Sequence, residues 1–242
     1  MTAVLAILAA GSSSRAGVDK VLADLGGHPV LEWSLQAGQV AGCFREIIIV
    51  APPDKVAAVT AVTRDFAGVV AMNMDGNPIR VVAGGATRTA SSWAALDAVP
   101  TADVIALHDA ARPFVPPSLL HRCVEIAEAD GSAVAGLPLA DTIRRANEAG
   151  ASREEIERDG LWAAQTPQVF RRELLEKARA VAGDRSFSDD AAAVVAAGLS
   201  VKMVPGERRN LKITTFEDLG YARELVAKGL VGLAAPVVIR SK

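Results

Sequence analysis

Short runs rich in valine and isoleucine alternate along this chain with longer segments of helical periodicity, and this alternation restricts the fold more than any other feature. The predicted strands cover residues 4–9, 46–51, 79–82, 104–107, 133–136 and 201–204. The predicted helices cover residues 29–40, 54–66, 87–99, 117–129, 172–182, 189–197 and 215–228. This order is typical of an α/β fold in which helices cover both faces of a doubly wound, mostly parallel sheet.

A polar segment with poor periodicity, residues 140–160, interrupts this pattern. A long excursion inside a compact domain usually has a function or binds a partner, although an irregular surface loop is the alternative. We therefore predict a single domain over residues 1–242, with residues 138–162 inserted in it.

The charge balance and the cysteines exclude several classes of protein. The chain has 26 Lys and Arg against 28 Asp and Glu, so it lacks the basic surface typical of a protein that binds polymeric nucleic acid. The apolar run at the N-terminus stops at Gly11, well short of a membrane span. Cys43 and Cys123 form no CxxC pair and are predicted to be buried, reduced thiols, as in a cytoplasmic protein.

The first strand leads into the segment AAGSSSRAGVDK, which combines small residues with Arg15 and Lys20. Small residues allow main-chain N–H groups to approach a phosphate, and the two cations supply the charge that a triphosphate requires. The dinucleotide fingerprint and the Walker A motif are both missing from this segment. It is therefore predicted to bind an anion, with an ordinary strand-to-helix turn as the alternative.

Two further segments follow predicted strands. In HDAARP, Asp109 lies just past a strand, at the edge where open α/β sheets bind ligands, and one such carboxylate is enough to hold Mg²⁺ beside substrate phosphates. A capped turn is the alternative at Asp109, and His108 is interpreted as a structural residue. In GGATRTASS, Gly85 would let the main chain contact a base and Ser91 offers a hydroxyl, although a capped loop explains this segment equally well.

These three segments, in this order, resemble the nucleotide-binding half of the methylerythritol phosphate cytidylyltransferase family. The resemblance continues through DTIRR, RDGLWAAQTPQVF, FSDDAA and NLKIT, and it extends from about residue 4 to residue 225. It implies a Rossmann-like nucleotidyltransferase fold with a protruding β-arm, which corresponds to the polar excursion. It also implies a homodimer in which the arms are exchanged, so that each arm completes the partner's site.

The resemblance implies a role for each matching residue. Residues expected to surround the cytidine of CTP are Ala9, Ala10, Gly11, Gly85, Ser91 and Ala110. Arg15, Lys20 and Lys212 are expected to contact phosphates and to act in catalysis, and Asp109 is expected to hold Mg²⁺. Residues expected to form the pocket for the polyol phosphate are Arg112, Thr142, Arg158, Thr166 and Ser188, with Thr142 and Arg158 donated by the neighbouring arm.

The expected reaction is an in-line attack of a substrate phosphate oxygen on the α-phosphorus of CTP, which releases pyrophosphate and requires no protein nucleophile. Five positions depart from the family pattern: Leu8, where many relatives have Pro, Ala16, where many have Met, Ala86, where some have Asp, Ser188, where Thr is frequent, and Arg209, where several have Asp. Two alternatives stay open: a cytidylyltransferase for another polyol phosphate such as ribitol 5-phosphate, and a nucleotide-binding module without catalytic activity. A nicotinamide-dependent dehydrogenase is disfavoured because the glycine fingerprint is missing.

Overall fold

A computed structural model describes residues 1–10, 20–70 and 79–233 of the chain. The strands are β1 (Ala3–Leu8), β2 (Asp24–Leu25), β3 (His28–Pro29), β4 (Glu46–Ala51), β5 (Ile79–Ala83), β6 (Val104–Asp109), β7 (Ser132–Pro138), β8 (Ile143–Ala146), β9 (Ser152–Ile156), β10 (Trp162–Arg171) and β11 (Met203–Pro205). The helices are α1 (Val30–Ala41), α2 (Val56–Val70), α3 (Arg88–Ala98), α4 (Pro117–Asp130), α5 (Arg172–Ala182), α6 (Asp190–Ala196) and α7 (Phe216–Ala227), and a 3₁₀ turn (Pro53–Lys55) precedes α2.

In these ranges, seven strands form one sheet in the order β11-β7-β10-β6-β1-β4-β5. Pairs β1–β4, β1–β6, β4–β5 and β7–β11 are parallel, whereas β10 runs antiparallel to both of its neighbours, β6 and β7. The predicted doubly wound, mostly parallel sheet is confirmed. Its parallel strands end at one common edge, where β1, β5 and β6 deliver the three segments singled out in the sequence.

The core lies on both faces of this sheet. Alternate residues of β1 show the two layers, because Leu5 and Ile7 pack under α1, α2 and α4 while Val4 and Ala6 pack under α3, α5 and α6. Helix α7 covers a smaller cluster in which the rings of Trp33 and Phe114 meet edge to face at 5.3 Å. No helix in the described part of the chain is long and apolar enough to cross a membrane.

Strand β10 is the main element that periodicity failed to predict. It lies in the middle of the sheet although it contains Pro167, which cannot donate to a strand ladder. The register between β10 and β7 shifts between Ala164 and Gln168, so the proline lies where the regular pairing is interrupted. A proline between two glutamines hides the strand from any test for alternating apolar residues.

The polar excursion forms an antiparallel hairpin of β8 and β9, and this hairpin is the β-arm. Opposite charges face each other across it, with ion pairs between Arg144 and Glu155 at 3.7 Å and between Arg145 and Glu154 at 3.3 Å. Most of its side chains are exposed. Its base is closed by a hydrogen bond from Leu139 N to Leu161 O at 3.0 Å. A structured hairpin therefore replaces the irregular loop that was the alternative.

We predict that Phe170→Ala destabilises the protein by about 3–5 kcal/mol, because Phe170 is 0% exposed on β10 and its removal leaves a cavity between the sheet and α5. The free energy of unfolding in urea measures this loss. Phe216→Ala is the matched control, since Phe216 is 61% exposed and its loss should change stability by no more than about 0.5 kcal/mol. Equal effects of the two variants would contradict the assignment of Phe170 to the core.

Candidate active site

The candidate site lies at the edge of the sheet where the parallel strands end. Leu8, the last residue of β1, is in register with Asp109 at the end of β6 and with Val50 in β4. Because β10 runs the opposite way, its first half, which contains Thr166, lies at this same edge. The topology therefore gathers motifs that are far apart in the sequence.

Asp109 is a nearly buried carboxylate held between two cations. Its Oδ1 accepts from Arg88 Nε at 3.3 Å, and its Oδ2 accepts from Lys212 Nζ at 2.7 Å. Burial by itself raises the pKa of Asp109, but the charges of Arg88 and Lys212 outweigh burial and lower the pKa to about 2. The carboxylate is therefore ionised at every pH at which the protein is expected to work.

Arg88, which the sequence analysis did not assign to the site, is one of its central charges. It is the first residue of α3, and its Nη2 also forms an ion pair at 2.8 Å with Asp190, whose side chain is buried at the start of α6. Burial disfavours the charge on Arg88, but Asp190 and Asp109 more than compensate and raise its pKa. The sequence signal was an arginine three residues after Gly85, together with the paired aspartates of FSDDAA.

The loop between β5 and α3 is folded tightly against the end of β1. Ser91 Oγ accepts from Gly85 N at 3.2 Å and donates to Thr87 O at 2.9 Å, so its hydroxyl holds the loop in shape. A Cβ on Gly84 would lie 2.8 Å from Ser91 Oγ and 3.1 Å from the Cβ of Ala10. Such close approach explains the glycine and brings main-chain groups to the site edge.

Ala9 and Ala110, also expected around the cytidine, directly follow β1 and β6 and extend their main-chain hydrogen bonding by one residue. Ala9 N donates to Val50 O at 2.8 Å, and Ala110 N donates to Leu8 O at 3.0 Å. Both alanines are buried at the carboxyl ends of β1 and β6. Gly11 and Arg15 lie outside the described residues.

The two lysines expected to contact phosphates converge on one segment of the chain. The Lys20 ammonium donates to the carbonyl of Thr214, two residues beyond Lys212, which is bound to Asp109. This segment is fixed to the HDAARP loop by a hydrogen bond from Ile213 N to Ala111 O at 2.8 Å. The structure therefore places Lys20 and Lys212 on the same side of the site.

A network of buried polar groups lies next to Asp109. Asp109 N donates to Thr166 Oγ1 at 3.0 Å, and Thr166 Oγ1 lies 3.1 Å from His108 Nδ1. Arg112 Nη1 donates to Asn210 O at 2.7 Å, and Asn210 Nδ2 donates to Thr166 O at 2.7 Å. Burial, opposed by Asp109, lowers the pKa of His108 to about 4, so its imidazole is neutral near pH 7. Arg112 and Thr166, both predicted site residues, thus belong to one network.

The remaining predicted residues are exposed. Thr142 and Arg158 lie on the arm, where the Arg158 guanidinium donates to the carbonyl of Ala140. Ser188 is exposed in the loop before α6, and its neighbour Phe187 is held against α3 by a hydrogen bond from Phe187 N to Thr89 Oγ1 at 2.9 Å. The structure does not bring Thr142 or Arg158 into the network around Asp109.

The carboxylates of the site fit a metal ion that arrives with a substrate. Within residues 1–10, 20–70 and 79–233, no group of three or more His, Cys, Asp and Glu side chains could enclose a metal. Asp109 supplies one ionised carboxylate, and Mg²⁺ typically binds to one or two carboxylates together with substrate phosphates. The residues therefore suit Mg²⁺ bound to a triphosphate rather than a permanent metal centre.

Several known proteins similar to this chain come from one family. The model of the family "IspD: 2-C-methyl-D-erythritol 4-phosphate cytidylyltransferase" matches residues 2–228. A 2-C-methyl-D-erythritol 4-phosphate cytidylyltransferase from a Nostoc strain is 36% identical over 90% of this chain and 95% of its own length. A bifunctional enzyme IspD/IspF from Anaeromyxobacter sp. is 39% identical over 92% of this chain, which spans only 57% of that relative's length.

Solved structures agree with these matches. The 2-C-methyl-D-erythritol 4-phosphate cytidylyltransferase of Thermus thermophilus superposes with a TM-score of 0.72 at 33% identity, covering 93% of this chain and 98% of that one. The 4-diphosphocytidyl-2C-methyl-D-erythritol synthase of Anaerococcus prevotii gives a TM-score of 0.78 at 26% identity over the same shares. Sequence and fold lead to one conclusion: the chain belongs to the 2-C-methyl-D-erythritol 4-phosphate cytidylyltransferase family.

Proposed function

We propose that this chain transfers the cytidylyl group of CTP to 2-C-methyl-D-erythritol 4-phosphate, with release of pyrophosphate, in the biosynthesis of isoprenoid precursors. The observation that carries the proposal is the ionised Asp109 between Arg88 and Lys212, at the sheet edge of a chain that the family model matches over residues 2–228. Two polyanions must meet in this reaction, and the site supplies positive charge on both sides of one fixed negative charge.

The chemical step is an in-line attack by a phosphate oxygen of the polyol phosphate on the α-phosphorus of CTP. The bond from that phosphorus to the β-phosphate oxygen breaks, and pyrophosphate leaves with the bonding electrons. Such transfers depend on alignment and charge neutralisation rather than on covalent catalysis by the protein. We assign charge neutralisation to Arg15, Lys20 and Lys212, and contacts with the cytidine to the loops around Ala9, Ala10, Gly11, Gly85, Ser91 and Ala110.

No general base is needed for this attack. The second pKa of a phosphate monoester is about 6, so the nucleophilic oxygen is already largely ionised near neutral pH. His108, the nearest imidazole to Asp109 in the described residues, is buried and engaged in hydrogen bonds. The neutral His108 therefore has a supporting role, and the reacting groups provide their own charge.

The proposed metal ion is Mg²⁺, held by Asp109 together with phosphate oxygens of CTP. When bound, it would neutralise charge that develops on the triphosphate. Lys212, which is half exposed and contacts the same carboxylate, is free to turn towards phosphates once Asp109 is otherwise engaged. Arg88 is more buried than Lys212 and keeps the carboxylate oriented.

We also propose a homodimer with exchanged arms, in a single domain over residues 1–242 that carries residues 138–162 as its dimerisation arm. Two observations support it. The β8–β9 hairpin pairs only with itself in the described sheets, and isolated two-stranded hairpins are marginally stable in water. Thr142 and Arg158 are exposed on it. With the partner's arm in place, these two residues would join Arg112, Thr166 and Ser188 around the polyol phosphate.

A cytoplasmic location is proposed on the basis of the cysteines. Cys43 and Cys123 are both free, and burial raises the pKa of each thiol to about 12. Such thiols are unreactive, and unpaired cysteines are usual in the reducing cytosol.

The experiment that tests the proposed function measures pyrophosphate release with Mg²⁺ and matched pairs of substrates. We expect release with CTP and 2-C-methyl-D-erythritol 4-phosphate, and much less when ATP, GTP or UTP replaces CTP. Ribitol 5-phosphate serves as the competing acceptor. Faster release with ribitol 5-phosphate would contradict the assigned acceptor, and no release with any pair would contradict the enzymatic function itself.

We predict that Lys20→Ala and Lys212→Ala each lower kcat by about 100-fold or more, because each removes a positive charge that stabilises the transition state. Steady-state kinetics with saturating CTP measure the loss. Lys202→Ala is the matched control, since Lys202 pairs with Asp130 at 2.9 Å near the start of β11, at the opposite edge of the sheet. An unchanged kcat in Lys20→Ala would contradict the catalytic role assigned to Lys20.

The exchanged arm gives a complementation test. Arg158→Ala should raise KM for the polyol phosphate, since a cation that faces the substrate phosphate is lost. Mixed with Lys20→Ala under subunit exchange, it should form heterodimers with one intact site. Random pairing then restores about a quarter of the wild-type activity at low substrate. Each variant mixed with itself is the control, and heterodimers without restored activity would show that each site is built from one chain.

A further inference from the structure

Four hydrogen-bonded residues from three segments form a closed circuit beside Asp109. The circuit runs from the Thr166 hydroxyl to His108 Nδ1 at 3.1 Å, and from His108 Nε2 to the Arg112 carbonyl at 3.2 Å. It continues from Arg112 Nη1 to Asn210 O and returns from Asn210 Nδ2 to Thr166 O, both at 2.7 Å. His108 and Asn210 each contact both predicted site residues, Thr166 and Arg112, and His108 is the one of the two that directly precedes Asp109.

The direction of each bond follows from its acceptors. The Arg112 carbonyl can only accept, so Nε2 of His108 carries the hydrogen. His108 is 0% exposed, and a buried charge without a carboxylate partner is costly, so the ring is neutral and its Nδ1 accepts from the Thr166 hydroxyl. Thr166 Oγ1 in turn accepts from Asp109 N at 3.0 Å. The hydroxyl hydrogen of Thr166 is therefore donated to His108 Nδ1.

We propose that His108 is a positioning residue that couples the two halves of the site. Through Thr166 it fixes the main chain of Asp109, on the nucleotide side. Through the Arg112 carbonyl it fixes the residue whose guanidinium is proposed to face the polyol phosphate. Thr166 accordingly supports the site by its position and offers no hydroxyl hydrogen to a substrate. The kinetic consequences of this inference rest on the proposed function.

The surroundings of His108 argue that its polarity is needed at this position. The preceding residues of β6, Val104 to Leu107, are all apolar and buried, so an apolar side chain would continue the strand. Burial of a polar side chain is costly unless each of its groups is paired, and here both ring nitrogens are paired. An imidazole is suited to this position because it places an acceptor and a donor on opposite sides of one rigid ring.

Two substitutions separate the two bonds of His108. His108→Asn puts an amide oxygen near the place of Nδ1, so it keeps an acceptor for Thr166 and loses the donor to Arg112. His108→Gln reaches the place of Nε2, so it keeps the donor and loses the acceptor. We expect His108→Gln to act mainly on kcat and His108→Asn mainly on KM for the polyol phosphate, each by about 10- to 100-fold, as for supporting residues around a metal site. His121→Gln, at an exposed position of α4, is the control.

A second measurement does not depend on activity. Amide hydrogen exchange at Asp109 reports its bond to Thr166, and we expect His108→Gln and Thr166→Val to speed that exchange by about 5- to 10-fold, the worth of one hydrogen bond. Thr166→Ser and His108→Asn should keep the protection. The amide of Leu107, two residues earlier in β6, is the internal reference, and exchange that rises equally at Leu107 would indicate general loosening and overturn the inference.

The outcomes distinguish this inference from the proposed function. If the wild-type protein releases no pyrophosphate from CTP and any polyol phosphate, the proposed function fails, while the exchange measurement still decides whether His108 holds Thr166 and Asp109. If the wild-type protein is active, equal effects of His108→Asn and His108→Gln on kcat and KM overturn the coupling role. The coupling role is supported if His108→Gln changes mainly kcat, His108→Asn changes mainly KM, and amide exchange rises at Asp109 but not at Leu107.

Discussion

The site depends on one buried negative charge, the carboxylate of Asp109, and on the way that charge is compensated. A carboxylate that leaves water needs partners, and here they come from the start of α3 and from the segment after β11. Arg88 needs a second carboxylate in turn, which Asp190 supplies from α6. One buried charge therefore fixes three chain segments that the sheet alone would leave independent.

Strand β10 gives this arrangement its second support. Since it runs against its neighbours, residues at its beginning arrive at the edge where the parallel strands end. Gln165 Nε2 donates to Glu207 O at 3.0 Å, and Asn210 Nδ2 donates to the Thr166 carbonyl, so the segment that carries Lys212 is tied to β10 as well as to Asp109. A single reversed strand thus connects the central carboxylate, the lysine and the polar network.

Periodicity predicted the parallel strands and their covering helices because each of them is apolar in a regular pattern. It failed at β10, where Pro167 and two glutamines interrupt the apolar pattern. The site edge was predictable from Asp109, because a carboxylate at the end of an apolar strand lies where open α/β sheets bind ligands. The partnership of Arg88 with Asp190 was not, since these residues are about a hundred positions apart and only the packing of the folded chain joins them. Thr142 and Arg158 stand on an arm whose proposed partner is another chain, so their place in a site is a proposal.

The β8–β9 hairpin is joined to the sheet at two residues that the sheet itself holds in register. It leaves the sheet after Pro138 in β7 and returns at Trp162 in β10, two residues that are in register, and the bond between Leu139 and Leu161 closes its base. The register of β7 with β10 is therefore set at the base of the hairpin and does not depend on the residues of β8 and β9. Substitutions within residues 140–160 can therefore change what the hairpin contacts, while the pairing of β7 with β10 that places Thr166 beside Asp109 is kept.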